Sequence, residues 1–246
     1  MLHLGRVPFE VGMKRMKLSP RLKMIASLVP LGCSVADVGT DHGYIPVYLA
    51  QTGLYGEITA SDINIGPLEH AQRSAAAYGV ADQIRFVQAP GLSFPESHCS
   101  QVVIIAGMGG ELIASILQDA PWTKTNHTLI LQPNSKIDIL NAWLMDNGYQ
   151  ITQAHMVKDG GKLYQILSVI GGNDTIPLMP AQLLAHPQFF RQRDPLLPEY
   201  LEQLIGKYSH ALKGIQKSEH LSDAAALESL ILELQNMRRE TETWQQ

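Results

Sequence analysis

Two aspartates, a histidine and two glycines fall between Asp37 and Gly43 in the stretch Val35-Ala-Asp-Val-Gly-Thr-Asp-His-Gly-Tyr-Ile-Pro46. A strand ending at Asp37, a tight turn at Gly39 and a helix after it would bring the backbone close to a ligand. A dinucleotide fingerprint needs Gly-x-Gly-x-x-Gly, so that a diphosphate rests on the helix N-terminus. Here Thr40, Asp41 and His42 separate Gly39 from Gly43, and acids at the turn repel a diphosphate. They suit a ligand with a cationic centre, such as the sulfonium and amino group of S-adenosylmethionine. An NAD-dependent oxidoreductase is accordingly the weakest reading. The bland alternative is a ligand-free strand–Gly–helix turn, common in α/β proteins, and the doubled acids argue against it.

The next strand-like run ends in Ser61-Asp62-Ile63-Asn64, with Asp62 placed 25 residues after Asp37. A carboxylate there can accept hydrogen bonds from both hydroxyls of an adenosine ribose. By itself Asp62 could equally cap a helix, since Gly66-Pro67 follows; beside the first motif the ribose role is the better reading. Further on, Ala106-Gly-Met-Gly-Gly110 leaves backbone exposed at a strand's carboxyl end. Leu131-Gln-Pro-Asn134 ends another strand. Pro133-Asn134 is first of all a turn signal, though an amide at that edge can also hydrogen-bond a flat base.

The elements that must position these groups alternate. Ser34–Val38, Ile58–Asp62, Ile84–Gln88, Val102–Ala106 and Thr128–Gln132 read as short strands bounded by turn residues. Tyr44–Gln51, Pro67–Tyr78, Gly110–Gln118 and Lys136–Asn147 read as helices between them. Near-continuous apolar strands suit a parallel sheet covered on both faces. Gln150–Val157 and Leu163–Ile170, about the turn Lys-Asp-Gly-Gly-Lys, read as an antiparallel pair finishing the sheet. Ser19-Pro20 opens an earlier helix as N-cap and first helical residue. Gly171-Gly172-Asn173-Asp174 and the prolines from Pro177 to Pro198 mark a linker. Beyond it, Leu201, Leu204, Ile205, Tyr208, Leu212 and Ile215, then Leu227, Leu230, Ile231, Leu234 and Met237, form two helical stripes. These are expected to bury each other as a hairpin or short coiled coil. The expected fold class is α/β, a Rossmann-like domain with a mostly parallel seven-stranded sheet plus a C-terminal helical hairpin. The expected divisions are a basic extension (1–17), the main domain (18–171), and linker with hairpin (172–246).

Hydrophobic residues at 45% and charged residues at 17% allow a real core and exclude a disordered chain. Cys33 and Cys99 lie far apart, so neither a disulfide framework nor a metal site is expected, and a cytoplasmic location fits. No apolar run is long enough to span a bilayer. The net charge of −4 hides a basic start: residues 1–30 hold Arg6, Lys14, Arg15, Lys17, Arg21 and Lys23 against Glu10 alone. Clustered cations can track phosphates even on an acidic protein, because screening keeps the field local. A merely solvated N-terminus is the competing reading.

With these segments assembled, the chain resembles the bacterial tRNA (adenine(22)-N(1))-methyltransferase family. The matching stretches are Leu18-Ser-Pro-Arg-Leu22, Ala36 to Pro46, Ala60-Ser-Asp-Ile-Asn64 with Gly66-Pro-Leu68, Gly107-Met-Gly-Gly110, Leu129 to Asn134 and Gly161-Lys-Leu-Tyr164. The resemblance implies methyl transfer from S-adenosylmethionine to N1 of adenine 22, in the D-arm region of tRNA. It implies that Asp37, Gly39 and Asp62 hold the cofactor. Thr40, His42, Ile63, Asn64, Gly91, Leu92, Gly107 and Met108 complete that expected set. One stretch departs: the family usually has Gly-Asp-Gly-Leu after the third strand, with the acid near the cofactor's adenine amino group. This chain has Ala89-Pro-Gly-Leu92.

Adenine N1 carries its own lone pair, so transfer needs alignment more than a strong base. A paired adenine hides N1, so the base is expected to flip into the pocket. Asp41 is the expected group for the developing positive charge or an N6 proton, with His42 and Tyr44 lining the pocket and Asn134 touching the base. A capping role for Asp41 and packing roles for His42 and Tyr44 compete with these. Lys14, Lys17, Arg21 and Lys23 are the expected phosphate contacts. No membrane and no metal partner are expected, and a monomer is favoured. The rivals are a methyltransferase with another acceptor and a noncatalytic RNA-binding or scaffold protein of the same fold, for which Pro90 is the best support.

Overall fold

The computed structural model describes residues 14–172, 177–216 and 221–245; of the basic extension, residues 1–13 lie outside them. Seven strands form one sheet: β1 (Val35–Val38), β2 (Ile58–Asp62), β3 (Ile84–Gln88), β4 (Val102–Gly109), β5 (Thr128–Ser135), β6 (Tyr149–Asp159) and β7 (Lys162–Gly171). Their spatial order is β3-β2-β1-β4-β5-β7-β6. The first five strands are mutually parallel, and β7 runs antiparallel to both β5 and β6. Successive crossovers go one way from β1 to β3 and the other way from β4 to β5. The reversal lies between β1 and β4, where open α/β sheets leave a crevice at the strands' carboxyl ends.

Strand alternation sorts the core into two layers. In β4, Val102 and Ile104 face one layer with Ile25, Val47 and Leu49, while Val103 and Ile105 face the other with Ile113, Leu117 and Leu140. All four strand residues are buried, which explains why the run reads as continuously apolar. The first layer takes α1 (Pro20–Ser27), α2 (Tyr44–Thr52) and α3 (Ile65–Ala77); the second takes α4 (Gly110–Gln118) and α5 (Ile137–Asp146). Helix α3 begins two residues before the expected Pro67, because a proline in the first turn lacks an N–H that would have no partner there anyway. Strands β4 and β5 run three residues past their apolar cores. A register shift between Ala106 and Met108 lets the polar ends continue pairing beyond Gly107.

The proline-marked stretch after β7 is folded. Pro180 opens α6 (Pro180–Leu184) and Pro198 lies in the first turn of α8 (Leu197–Ile215), positions where proline is pre-organised for a helix. With α7 (Gln188–Arg191) between them, this segment puts Leu184, Phe189, Leu197, Leu201 and Leu204 into the second core layer. Helix α9 (Leu221–Glu242) returns along α8, contributing Leu234 to the same layer and an Arg238–Glu202 ion pair at 2.8 Å across the hairpin. The helical stripes therefore pack on each other and on the sheet layer.

Helix α1 is tied to the site end of the sheet by its cap. Ser19 Oγ accepts from the Leu22 N–H at 3.5 Å and donates to Asp159 Oδ2 at 2.5 Å, and the same carboxylate oxygen accepts from the Arg21 N–H at 3.3 Å. Ser19→Ala is expected to cost about 1 kcal/mol, the usual loss of an N-cap. A lowered urea midpoint with unchanged denaturant slope is the readout.

Candidate active site

Two adjoining cavities open where the carboxyl ends of β1, β2 and β4 meet. The first, about 380 Å³, is lined by Arg21, Asp37, Thr40, Asp41, His42, Tyr44, Gly107 and Asn134 among others. The second, about 340 Å³, is lined by Ile63, Ala89, Pro90, Gly91, Leu92, Leu112 and Ile116 among others. Gly39, Asp62 and Met108 border both. A Cβ on Gly39 would lie 2.2 Å from Met108 Cε, so the Met108 side chain lies over the glycine turn at the junction. Gly39 has φ +73° and Gly43 φ +69°, and a Cβ on Gly43 would meet Ala71 Cβ of α3 at 2.8 Å. Glycine is needed at the first for the turn beneath Met108 and at the second for the close approach of α2 to α3.

Asp37 is buried at 5% exposure and receives a 2.7 Å hydrogen bond from Thr40 Oγ1. Burial pushes its carboxyl up to about 6; the Thr40 bond works against that rise and the neighbouring Asp62 charge adds to it. A carboxylate so placed gains strongly from a cation brought beside it. Asp62 accepts the Asn64 N–H on Oδ1 at 2.9 Å, which fixes its rotamer at the junction. Asn64 itself occupies the N-cap position of α3 and lines neither cavity.

Asp41 has left-handed backbone, φ +47°, and an exposed carboxylate 3.7 Å from His42 Nε2. His42 stacks on Tyr44 with ring centroids 5.3 Å apart, and on His70 of α3 at 5.4 Å. This three-ring stack stands beside the first cavity, and its third member was not among the expected site residues. An isolated histidine on a helix gives no sequence signal; only the α2–α3 packing brings it there.

A buried amide network closes the opposite wall. Gln132, fully buried, accepts from Arg21 Nη1 on Oε1 and donates from Nε2 to Pro133 O at 2.9 Å and Asn134 Oδ1 at 3.0 Å. Asn134 Nδ2 donates to the Gly107 carbonyl at 2.7 Å, and the Arg21 guanidinium lies 5.2 Å over the Tyr164 ring. Gln132 had no role assigned in advance, yet a glutamine inside an apolar strand is itself a signal, since a buried amide needs partners.

The four expected phosphate contacts are not brought together. Arg21 lines the first cavity and is held by Gln132. Lys14 sits with its ammonium 5.2 Å over the Tyr78 ring and its carbonyl accepting from Gln51. Those partners stand at the far ends of α3 and α2, which run away from the cavity edge, so Lys14 is at the opposite end of the sheet. Lys17 and Lys23 are exposed. Among the described residues no group of three His, Cys, Asp or Glu is arranged to hold a metal, and no helix is long and apolar enough to cross a membrane.

Residues 18–167 match a family model described as a methyltransferase domain. The chain is 30% identical over 223 residues to the tRNA (adenine(22)-N(1))-methyltransferase of Bacillus subtilis (strain 168), covering 88% of this chain and 90% of that protein. Among solved structures it is similar to a Streptococcus pneumoniae protein described as a candidate tRNA (m1A22) methyltransferase. The TM-score is 0.82 at 32% identity, with 90% of this chain and 100% of that chain covered. The same protein solved in complex with S-adenosyl-L-methionine superposes with a TM-score of 0.80 at 31% identity, again over 90% and 100% of the two chains. Sheet order, paired cavities and these likenesses agree: the chain belongs to the tRNA (adenine(22)-N(1))-methyltransferase family of class I methyltransferases.

Proposed function

We propose that the protein moves a methyl group from S-adenosylmethionine to N1 of an adenine in tRNA, at position 22, and does so in the cytoplasm. The observation that carries this reading is the pair of cavities joined at Asp62 and Met108, one acidic and one apolar. A sulfonium nucleoside has matching halves. Asp37 is a buried carboxylate beside the glycine turn with a hydroxyl as its side-chain partner, suited to a cationic amino-acid end. Asp62 has spare lone pairs for the ribose, and the second cavity offers apolar walls to the base. Arg21, which lines the first cavity, suits the carboxylate of the same amino-acid end.

When bound, S-adenosylmethionine supplies an electrophilic methyl carbon. The chain's own task is to hold the acceptor in line with it, a gain mostly of proximity and orientation. Tyr44, 42% exposed at the cavity, offers a ring face to a flipped base. Asn134 retains one lone pair on Oδ1 beyond the one taken by Gln132, free to accept an N6–H. Asp41 places a carboxylate near the charge that develops on the methylated base. Lys17 and Lys23, both exposed, are available to phosphates.

Incubating the protein with labelled S-adenosylmethionine and unmodified tRNA, followed by nucleoside mass analysis, tests the proposal. The expected product is 1-methyladenosine at a single position. Label in another nucleoside, or none in tRNA, would overturn it.

The raised carboxyl of Asp37 makes a pH prediction. A cationic ligand needs that group ionised, so affinity should be full above about 6 and fall as pH drops below it. Calorimetry at pH 5 should show S-adenosylhomocysteine bound about tenfold more weakly than at pH 7, one decade per pH unit. Asp37→Asn should bind weakly at both. The unliganded protein has the opposite sign: between the ordinary value of 3.8 and about 6 the native state holds a proton that the unfolded chain lacks. Its stability therefore declines as pH rises through that window.

A further inference from the structure

The apolar cavity carries an exposed carboxylate at a helix end that does not favour one. Asp119 follows the last residue of α4 as its C-cap, the end where the helix macrodipole disfavours a carboxylate. Its side chain makes no hydrogen bond or ion pair with any described residue. It nevertheless lines the second cavity, where the other polar side chains are Asp62 at the junction and the hydroxyls of Ser93 and Ser115. The turn Ala89-Pro90-Gly91-Leu92 lines the same cavity. The Ala89 N–H is taken by Asp62 O and the Ser93 N–H by Pro90 O, while the N–H groups of Gly91 and Leu92 remain unengaged. Pro90 has neither a polar side chain nor an N–H.

An adenine edge presents an acceptor at N1 beside a donor at the 6-amino group. The groups lining this cavity include the complement: free backbone donors at Gly91 and Leu92 and a free carboxylate acceptor at Asp119. Hypoxanthine reverses both positions, with N1–H and a carbonyl at C6. Resting on the reading that this cavity seats the base of the cofactor, we infer that Asp119 accepts the 6-amino hydrogen bond and makes the cavity selective for an adenine nucleoside over a hypoxanthine one. The role is one of ligand discrimination, apart from the methyl-transfer chemistry.

The test compares S-adenosylhomocysteine and S-inosylhomocysteine by titration calorimetry on the wild-type chain, Asp119→Ala and Asp119→Asn. Asp119 is exposed, and an unchanged melting temperature in both variants checks that they fold. The wild type should prefer the adenine ligand. Asp119→Ala should lose about tenfold of that ligand's affinity, as expected for one hydrogen bond to a charged group, with no loss for the hypoxanthine ligand. Asp119→Asn, which can donate to a carbonyl, should narrow the preference further. If Asp119→Ala keeps the wild-type affinity for both ligands, the inference falls and the cofactor reading stands. If the wild type binds neither ligand, both fall together.

Discussion

Asp62→Ala is expected to weaken S-adenosylhomocysteine binding by about 100-fold or more while the fold stays intact. Two charge-assisted hydrogen bonds to the ribose hydroxyls contribute about 1.5–3 kcal/mol each, and each 1.4 kcal/mol is a factor of ten. The side chain is already oriented before the ligand arrives, because the Asn64 N–H holds Oδ1 at 2.9 Å. Little ordering entropy is then lost on binding. Asp62→Asn retains one acceptor and should lose about tenfold, the worth of one such bond. Calorimetry reads both. A dissociation constant for the alanine variant within threefold of wild type would remove Asp62 from the cofactor seat.

Asn134→Ala is expected to lower the single-turnover methylation rate by about 100- to 1000-fold, the size seen when one preorganised polar group is removed from a transition state. S-adenosylhomocysteine affinity should be nearly unchanged. The amide is held at both ends, donating to the Gly107 carbonyl at 2.7 Å and accepting from Gln132 at 3.0 Å. Gln132 is in turn held by Arg21 and by the Pro133 carbonyl. As N1 gains its methyl group, positive charge spreads to N6, and a fixed carbonyl oxygen interacts more strongly with the product-like base than with neutral adenine. That difference raises the rate; equal binding of both states would not. A variant that retained the rate, or lost only cofactor affinity, would place Asn134 outside the chemistry.

Much of the architecture is legible in the chain because the relevant interactions are local. Val102 to Ile105 reads as a strand buried on both faces because the run is short, wholly β-branched and followed closely by Gly107. Ser19-Pro20 starts α1 through a cap and a pre-organised φ, both properties of adjacent residues. Asp37, Gly39, Asp62, Gly107 and Asn134 share an edge because each ends or follows a parallel strand, and parallel strands bring their carboxyl ends together.

The prolines from Pro177 to Pro198 show the limit of local reading. The same residue marks a turn or opens a helix, and only apolar partners on the sheet, here those around Phe189, choose between them. The cations show it too. Arg21 and Lys14 are seven positions apart, yet one is drawn into the first cavity by Gln132 and Tyr164 while the other rests on Tyr78 at the far end of the sheet. Charge and spacing specify that they are basic and near one another in sequence. Their roles depend on contacts more than one hundred residues away for Arg21 and about sixty for Lys14, and no window along the chain contains those. So residue types and their periodicity establish the sheet, its helices and the acids at its edge. The division into two cavities by Met108, the aim of Asn134 and the partner of each cation arise from side chains that meet only once the layers have packed.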